Sequence, residues 1–148
     1  DVTGEVLRSD GGAEIHLQLS APRACEPEGD QLMCRSLVLS NPMVPVFASL
    51  PGRRYPLVLR VPVVRRLQLE LVAPAGWTVT TRKPRQLDSG WGSVAETLTE
   101  IEGGQRSVLH IEVPAQTVDP EDYEVFARFC QAVDELTTRP PRLQSQSN

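Results

Sequence analysis

Long apolar runs are absent from this 148-residue chain. No window approaches the ~18 apolar residues that a membrane-crossing helix needs. No charged n-region leads into an apolar segment either, so neither a signal peptide nor a membrane helix is expected within the span. The sequence opens at Asp1 without methionine. A processed mature chain and an excised piece of a longer protein are both consistent with that.

Aromatic residues are scarce, at 5%, and they are not interleaved with the basic residues. That argues against stacking on nucleic-acid bases, although residues 51–92 carry Arg53, Arg54, Arg60, Arg65, Arg66, Arg82, Lys83 and Arg85 against only Glu70 and Asp88. In a chain of net charge −4, such a segment reads first as basic strands set beside acidic ones. Lys83 is the sole lysine, and arginine suits fork-like pairing with carboxylates.

Histidine and cysteine are too few to build a metal centre from any recognisable spacing. There is no HExxH, no second metal-type cysteine pair and no phosphate-cradling glycine loop. His16 and His110 each alternate with apolar residues, as solvent-facing or satisfied sheet histidines do. Neither forms a local pattern with a nucleophile. No catalytic residue, metal ligand or cofactor is therefore assigned.

Three cysteines remain. Cys25 and Cys34 flank EPEGDQLM, read here as a loop. A cross-link would close about ten residues and stabilise by roughly 2.5–3 kcal/mol in the chain-entropy model. Disulfides persist in oxidising compartments, so the pair points to a periplasmic or extracellular protein; three free thiols in a cytosolic protein is the competing reading. Cys130 lies well inside a helix, beside apolar residues and far from a helix N-terminus or a basic neighbour. It lacks the usual means of lowering a thiol pKa and reads as a buried structural residue.

What the chain has in abundance is proline, 13 residues placed between and at the edges of apolar runs, and strand patterning. GEVLRSDGGAEIHLQLS predicts a hairpin turning at SDGG. A strand follows at Leu37–Leu39, then an irregular piece bounded by Pro42, Pro45 and Pro51, suited to a sheet edge. In YPLVLRV, Tyr55, Leu57, Leu59 and Val61 share one face; in RRLQLELV, Leu67, Leu69 and Leu71 oppose Gln68 and Glu70. PAGW reads as a turn, and WGSVAETLTEIEGGQRSVLHIEV as two alternating strands about EGGQ. Then DPEDYEVFARFCQAVDEL predicts a helix over about 120–138. Asp119 serves as N-cap, Pro120 as first residue, and Phe126, Phe129, Val133 and Leu136 form one apolar stripe.

Strands at short intervals with turn signals between them predict a mostly β fold. The expected architecture is an antiparallel β-sandwich, immunoglobulin/fibronectin-like, with one C-terminal amphipathic α-helix. One domain spans 1–139, with a polar, disordered tail at 140–148.

The order of RRYPLVL, a Leu-rich strand, APAGWTV, Pro84, a Trp-Gly-Ser strand, the EGGQ hairpin and DPEDYEVFARFCQAVD resembles the C-terminal β-sandwich of bacterial exported transglutaminase-like proteins. The resemblance covers about Arg53 to Thr138. It implies a non-catalytic accessory domain, because that family's nucleophile, histidine and acid sit in a core domain upstream; none can be placed on a position of this chain. The expected function is thus a structural or partner-binding β-sandwich that contacts the rest of a parent chain or another exported protein, with no nucleic acid and no membrane insertion. The alternative is an independent binding module for an anionic or carbohydrate ligand. Arg53, Arg54, Arg65, Arg66, Trp77 and Trp91 are its candidate surface.

Overall fold

The computed structural model describes residues 2–9, 12–19, 25–34 and 42–145, the first two spans as backbone. The chain is mostly β with every strand pair antiparallel, and it carries a C-terminal helix. Strands β1 (Val2–Ser9) and β2 (Gly12–Leu19) form the expected hairpin, with Ser9 opposite Gly12. Asp10 and Gly11 of its turn, and the strand expected at Leu37–Leu39, lie outside the described residues.

The expected irregular piece after Pro42 instead holds a second, short helix, α1 (Met43–Phe47). Pro45 is compatible with it because first-turn amides have no intrahelical acceptor. The amides of Met43 and Val44 donate to the Asp134 carboxylate, at 2.6 and 2.9 Å. Asp134 is too distant in sequence for local patterning to reveal this cap.

The largest unit is a four-stranded sheet in the order β6 (Val63–Val72), β10 (Gly104–Val113), β9 (Gly92–Ile101), β8 (Gln86–Ser89). Alternation is kept as expected. Leu67, Leu69 and Leu71 face inward on β6, and Leu109, Ile111 and Val113 are buried on β10 opposite the exposed His110 and Glu112. The alternating face expected over Tyr55–Val61 is shorter. Only β5 (Leu57–Leu59) is a strand there, and Tyr55 and Val61 are 80% and 70% exposed. Pro56 and Pro62 bracket it and prevent the ladder from extending. β5 pairs with β11 (Gln116–Val118).

Helix α2 (Tyr123–Thr138) closes the core. Residues 119–122 form a turn, with the Asp122 amide donating to the Asp119 carbonyl at 3.0 Å, so the N-cap is Asp122 rather than Asp119 and Pro120 precedes the helix. The buried stripe is also wider than expected. Tyr123 and Thr137 join Phe126, Phe129 and Val133, and Cys130 is buried beside them as expected, while Leu136 is half-buried. Phe126 makes an edge-on contact with Trp91, ring centroids 5.7 Å apart.

Gly92 permits this packing. A Cβ there would stand 2.3 Å from the Glu112 carbonyl oxygen and 3.1 Å from Phe129 Cζ, well inside van der Waals contact. Core packing therefore selects the Gly of the Trp-Gly pair.

A second four-stranded sheet runs β3 (Cys25–Glu28), β4 (Gln31–Cys34), β12 (Arg142–Ser145), β7 (Trp77–Val79). It corrects two expectations. The cysteine-flanked segment is a hairpin, not a loop, with Cys25 directly opposite Cys34 and the two joined by a disulfide. The tail expected to be disordered over 140–148 supplies β12 instead, the strand that bridges β4 and β7, with Leu143 opposite both Leu32 and Val79. Residues 146–148 lie outside the described residues. PAGW makes the expected turn: the Trp77 amide donates to the Pro74 carbonyl at 3.0 Å, and Gly76 supplies φ +82°. β7 also approaches β10 of the first sheet, giving a sandwich-like arrangement.

Candidate functional site

On β9, Val94, Glu96 and Leu98 share the inward parity, so the alternation drives a carboxylate into the core between two aliphatic residues. Only 1% of the Glu96 side chain is exposed. A buried carboxylate is stable only if its lone pairs are filled. Four donors fill them. Arg82 makes a bidentate pair, Nη1 to Oε2 at 2.6 Å and Nη2 to Oε1 at 2.5 Å; the Arg85 amide donates to Oε2 at 2.9 Å, and Ser107 Oγ to Oε1 at 2.5 Å. Burial by itself would raise the Glu96 carboxyl, but the hydrogen bonds from Arg82, Ser107 and the Arg85 backbone outweigh it and hold the group at about 2.

Arg85 carries the network to the helix. Its guanidinium donates to the carbonyls of Leu136 and Arg139, groups at the C-terminal end of α2 that have no intrahelical donor. Burial, then the charge of Arg82, lowers the Arg85 pKa. The segment from Arg82 to Arg85, between β7 and β8, thus links the two sheets and the helix end.

Beside this network a cleft of about 390 Å³ opens between the sheets. Leu69 and Leu71 of β6 and Val79 of β7 supply apolar wall, and Arg139 and Arg142 supply cationic groups; Arg82, its guanidinium committed to Glu96, also lines the cleft. Thr80 also lines it, and its buried hydroxyl has no hydrogen-bond partner among the described residues. Two guanidiniums over an aliphatic wall can hold an anionic group with an apolar neighbour.

The surface residues singled out in the sequence do not converge on this cleft. The Arg53 guanidinium lies over the Tyr123 ring, 5.5 Å from its centroid, and the Tyr123 hydroxyl donates to the Leu50 carbonyl. Arg54 is exposed near it in sequence. Arg65 and Arg66 occupy opposite faces of β6. Trp77 begins β7, and Trp91 packs into the core against Phe126. What the sequence reading missed was Glu96 and its donors. The available signal was an acid at an inward position of a clean alternation, which demands a buried partner.

Cys130 is fully buried. Desolvation first, then the nearby Asp134 charge, pushes its thiol up to about 12, so it is protonated and non-nucleophilic at neutral pH. Among the described residues there is no group of His, Cys, Asp and Glu placed to hold a metal, and no helix is long and apolar enough to cross a membrane.

No curated protein and no solved structure matches the chain. The model of a family described as a domain of unknown function with solved structure (DUF3858) matches residues 35–140, a span that contains the whole first sheet, both helices and the Arg82–Glu96 network, and the chain belongs to that family.

Proposed function

We propose that the chain is a non-catalytic, structural or partner-binding β-domain of an exported protein. In this reading the parent is a bacterial transglutaminase-like protein whose catalytic core, if it has one, lies upstream of Asp1. The observation that carries the reading is the use made of the two strongly perturbed groups: the Glu96 carboxylate is filled by Arg82, Arg85 and Ser107, and the Cys130 thiol is sealed in the core. The Cys25–Cys34 disulfide supports an oxidising compartment.

The reading is tested on two levels. Without reductant, iodoacetamide should modify no cysteine in the folded protein and only Cys130 after unfolding; three ready modifications would remove the basis for export. The reading frame upstream of Asp1 should encode an export signal and a transglutaminase-like core, and a frame lacking both refutes the parentage.

A second reading is favoured by the cleft: binding of an anionic or carbohydrate ligand. The support is the placement of Arg139 and Arg142 around an aliphatic wall. Titration with an anionic polysaccharide should quench tryptophan fluorescence saturably, and Arg142→Ala should weaken the response. No response in low salt, where screening is least, removes this reading.

A further inference from the structure

Strand β6 is the edge of the principal sheet, and among the described residues no strand pairs with its other side. Its ten residues pair continuously with β10 from Val63 to Val72, with no bulge and no proline inside the strand. Natural edges are usually blunted by such features. Among the described residues, the outward backbone groups of β6 instead form a long, regular ladder that no strand covers.

Which residues face that edge follows from the adjoining turn. The Ala73 amide donates to the Gly103 carbonyl, and Ala73 stands opposite Gly103 by continuation of the β6–β10 register. Odd-numbered residues of β6 therefore direct their backbone groups at β10, and the even ones, Val64, Arg66, Gln68, Glu70 and Val72, direct theirs outward. The same five side chains lie on the solvent face of the sheet. Val64 and Val72 are 57% and 62% exposed.

Read along the strand, these five are apolar, positive, neutral amide, negative, apolar. A two-fold axis through Gln68 maps the set onto itself. Two antiparallel copies of β6 in that register place Val64 against Val72 and Arg66 against Glu70, each contact occurring twice by symmetry, and Gln68 against Gln68 once, on the axis. Five amides of each copy then meet five carbonyls of the other. Shifting by one step of two residues sets Val64 against Glu70 or Arg66 against Val72. Shifting further sets Arg66 against Arg66 or Glu70 against Glu70, which is repulsive. On the inward face the favoured register puts Leu67 against Leu69 and Arg65 against Leu71.

We propose that the β6 edge is a homodimer interface. A second copy of the chain pairs antiparallel through β6, centred on Gln68, to give one continuous eight-stranded sheet with both α2 helices on the same side. Glu70 is already bonded to Arg106 at 2.7 Å. That bond holds the carboxylate extended over the sheet face, and a carboxylate has lone pairs left for a second guanidinium.

The test is charge reversal with exchange, using sedimentation equilibrium on the 148-residue chain. The wild type should be dimeric. Arg66→Glu and Glu70→Arg should each weaken the homodimer by about tenfold or more, since each sets like charges opposite one another twice. Mixed together, the two variants should form a one-to-one dimer, because every facing pair is then opposite in sign, and the double variant should recover self-association. Both positions are solvent-facing, so circular dichroism should confirm that the variants fold. A wild type that stays monomeric to ~0.5 mM, weaker than any stable pairing in affinity terms, overturns the proposal. So do single variants that dimerise as well as the wild type, or a mixture that associates no better than either variant alone.

Discussion

The two four-stranded sheets are held together by different means. The first is built from three ten-residue strands and one short one, and its inner face is sealed by α2, so that Val94, Leu109, Ile111, Phe126 and Val133 form part of one continuous core. The second is built from strands of three and four residues, and its buried apolar residues, Cys34 and Leu143, stand outside that core. A sheet of short strands buries too little apolar surface to hold its register by packing alone. Here a disulfide at one edge and backbone bonds from the chain end do it: the Cys34 amide to Pro141, the Thr80 amide to Arg142 and the Ser145 amide to Asp30. The difference follows the family boundary. Residues 35–140 contain the first sheet entire but only β7 of the second. The matched span therefore carries the packed sheet and helix, whereas the second sheet is assembled largely from residues outside it.

If the first sheet rests on packing, removing its central aromatic residue should have the largest effect. Phe126→Ala empties the space between Trp91 and Phe129 and should cost about 4 kcal/mol, measured by urea unfolding. Loss of the near-ultraviolet dichroism of Trp91 should accompany it, because the edge-on contact orients that ring.

Glu96→Gln comes next and tests the joint between the sheets. It keeps the shape but removes the charge from Arg82 and Arg85, and it should cost about 3 kcal/mol, at the low end for breaking a buried pair because Arg82 is 31% exposed. The pH dependence has a definite sign. The folded carboxyl titrates near 2, below its ordinary 4.5, so the native state favours the ionised form. Its contribution, also about 3 kcal/mol, is complete above pH 4.5 and is lost as pH falls toward 2. Thermal unfolding of the wild type should therefore drop more steeply between pH 5 and 2 than that of Glu96→Gln. Parallel curves would mean that the network contributes nothing.

The third effect separates the sheets directly. Replacing Cys25 and Cys34 by serine should cost about 2.5 kcal/mol on the chain-entropy argument. The loss should be local: hydrogen exchange should quicken in β3, β4 and β12 while the amides of β9 and β10 keep their protection. Equal loss in both sheets would show a single cooperative unit and break the comparison.

How far the sequence revealed each sheet follows from the same difference. Leu67-Gln68-Leu69-Glu70-Leu71 and Val108–Val113 alternate because one face is buried along their whole length, and such periodicity can be read from the residues alone. The helix stripe was legible for the same reason, apart from Thr137 and from Tyr123, whose role depends on the turn at 119–122. β12 was not legible. Arg142-Leu143-Gln144-Ser145 has one apolar residue and no period, and its partners at Leu32 and Val79 are remote in sequence. Asp134 as the cap of α1 and Arg82 as the partner of Glu96 are likewise contacts that no local pattern encodes. The Cys25–Cys34 pairing was legible because it is local.

The smallest effect concerns the outer face of the first sheet, which carries the same chemical pair as its core. Arg106 Nε lies 2.7 Å from Glu70 Oε1, a contact about as short as that of Arg82 with Glu96, but both side chains are 43% exposed. Distance alone would rank the two pairs equal; solvent does not. In water the attraction is screened, ordering two long side chains opposes it, and neither group is stranded in the core when its partner is removed. Arg106→Ala should therefore change the stability of the monomer by only about 0.5 kcal/mol, and even that should fade in high salt. A loss approaching that of Glu96→Gln would mean that the outer face of β6 and β10 is shielded from water in solution. Concentration dependence would then identify the shield: a cost that grows as the protein is concentrated belongs to the paired β6 edge, and one that does not belongs to the chain itself.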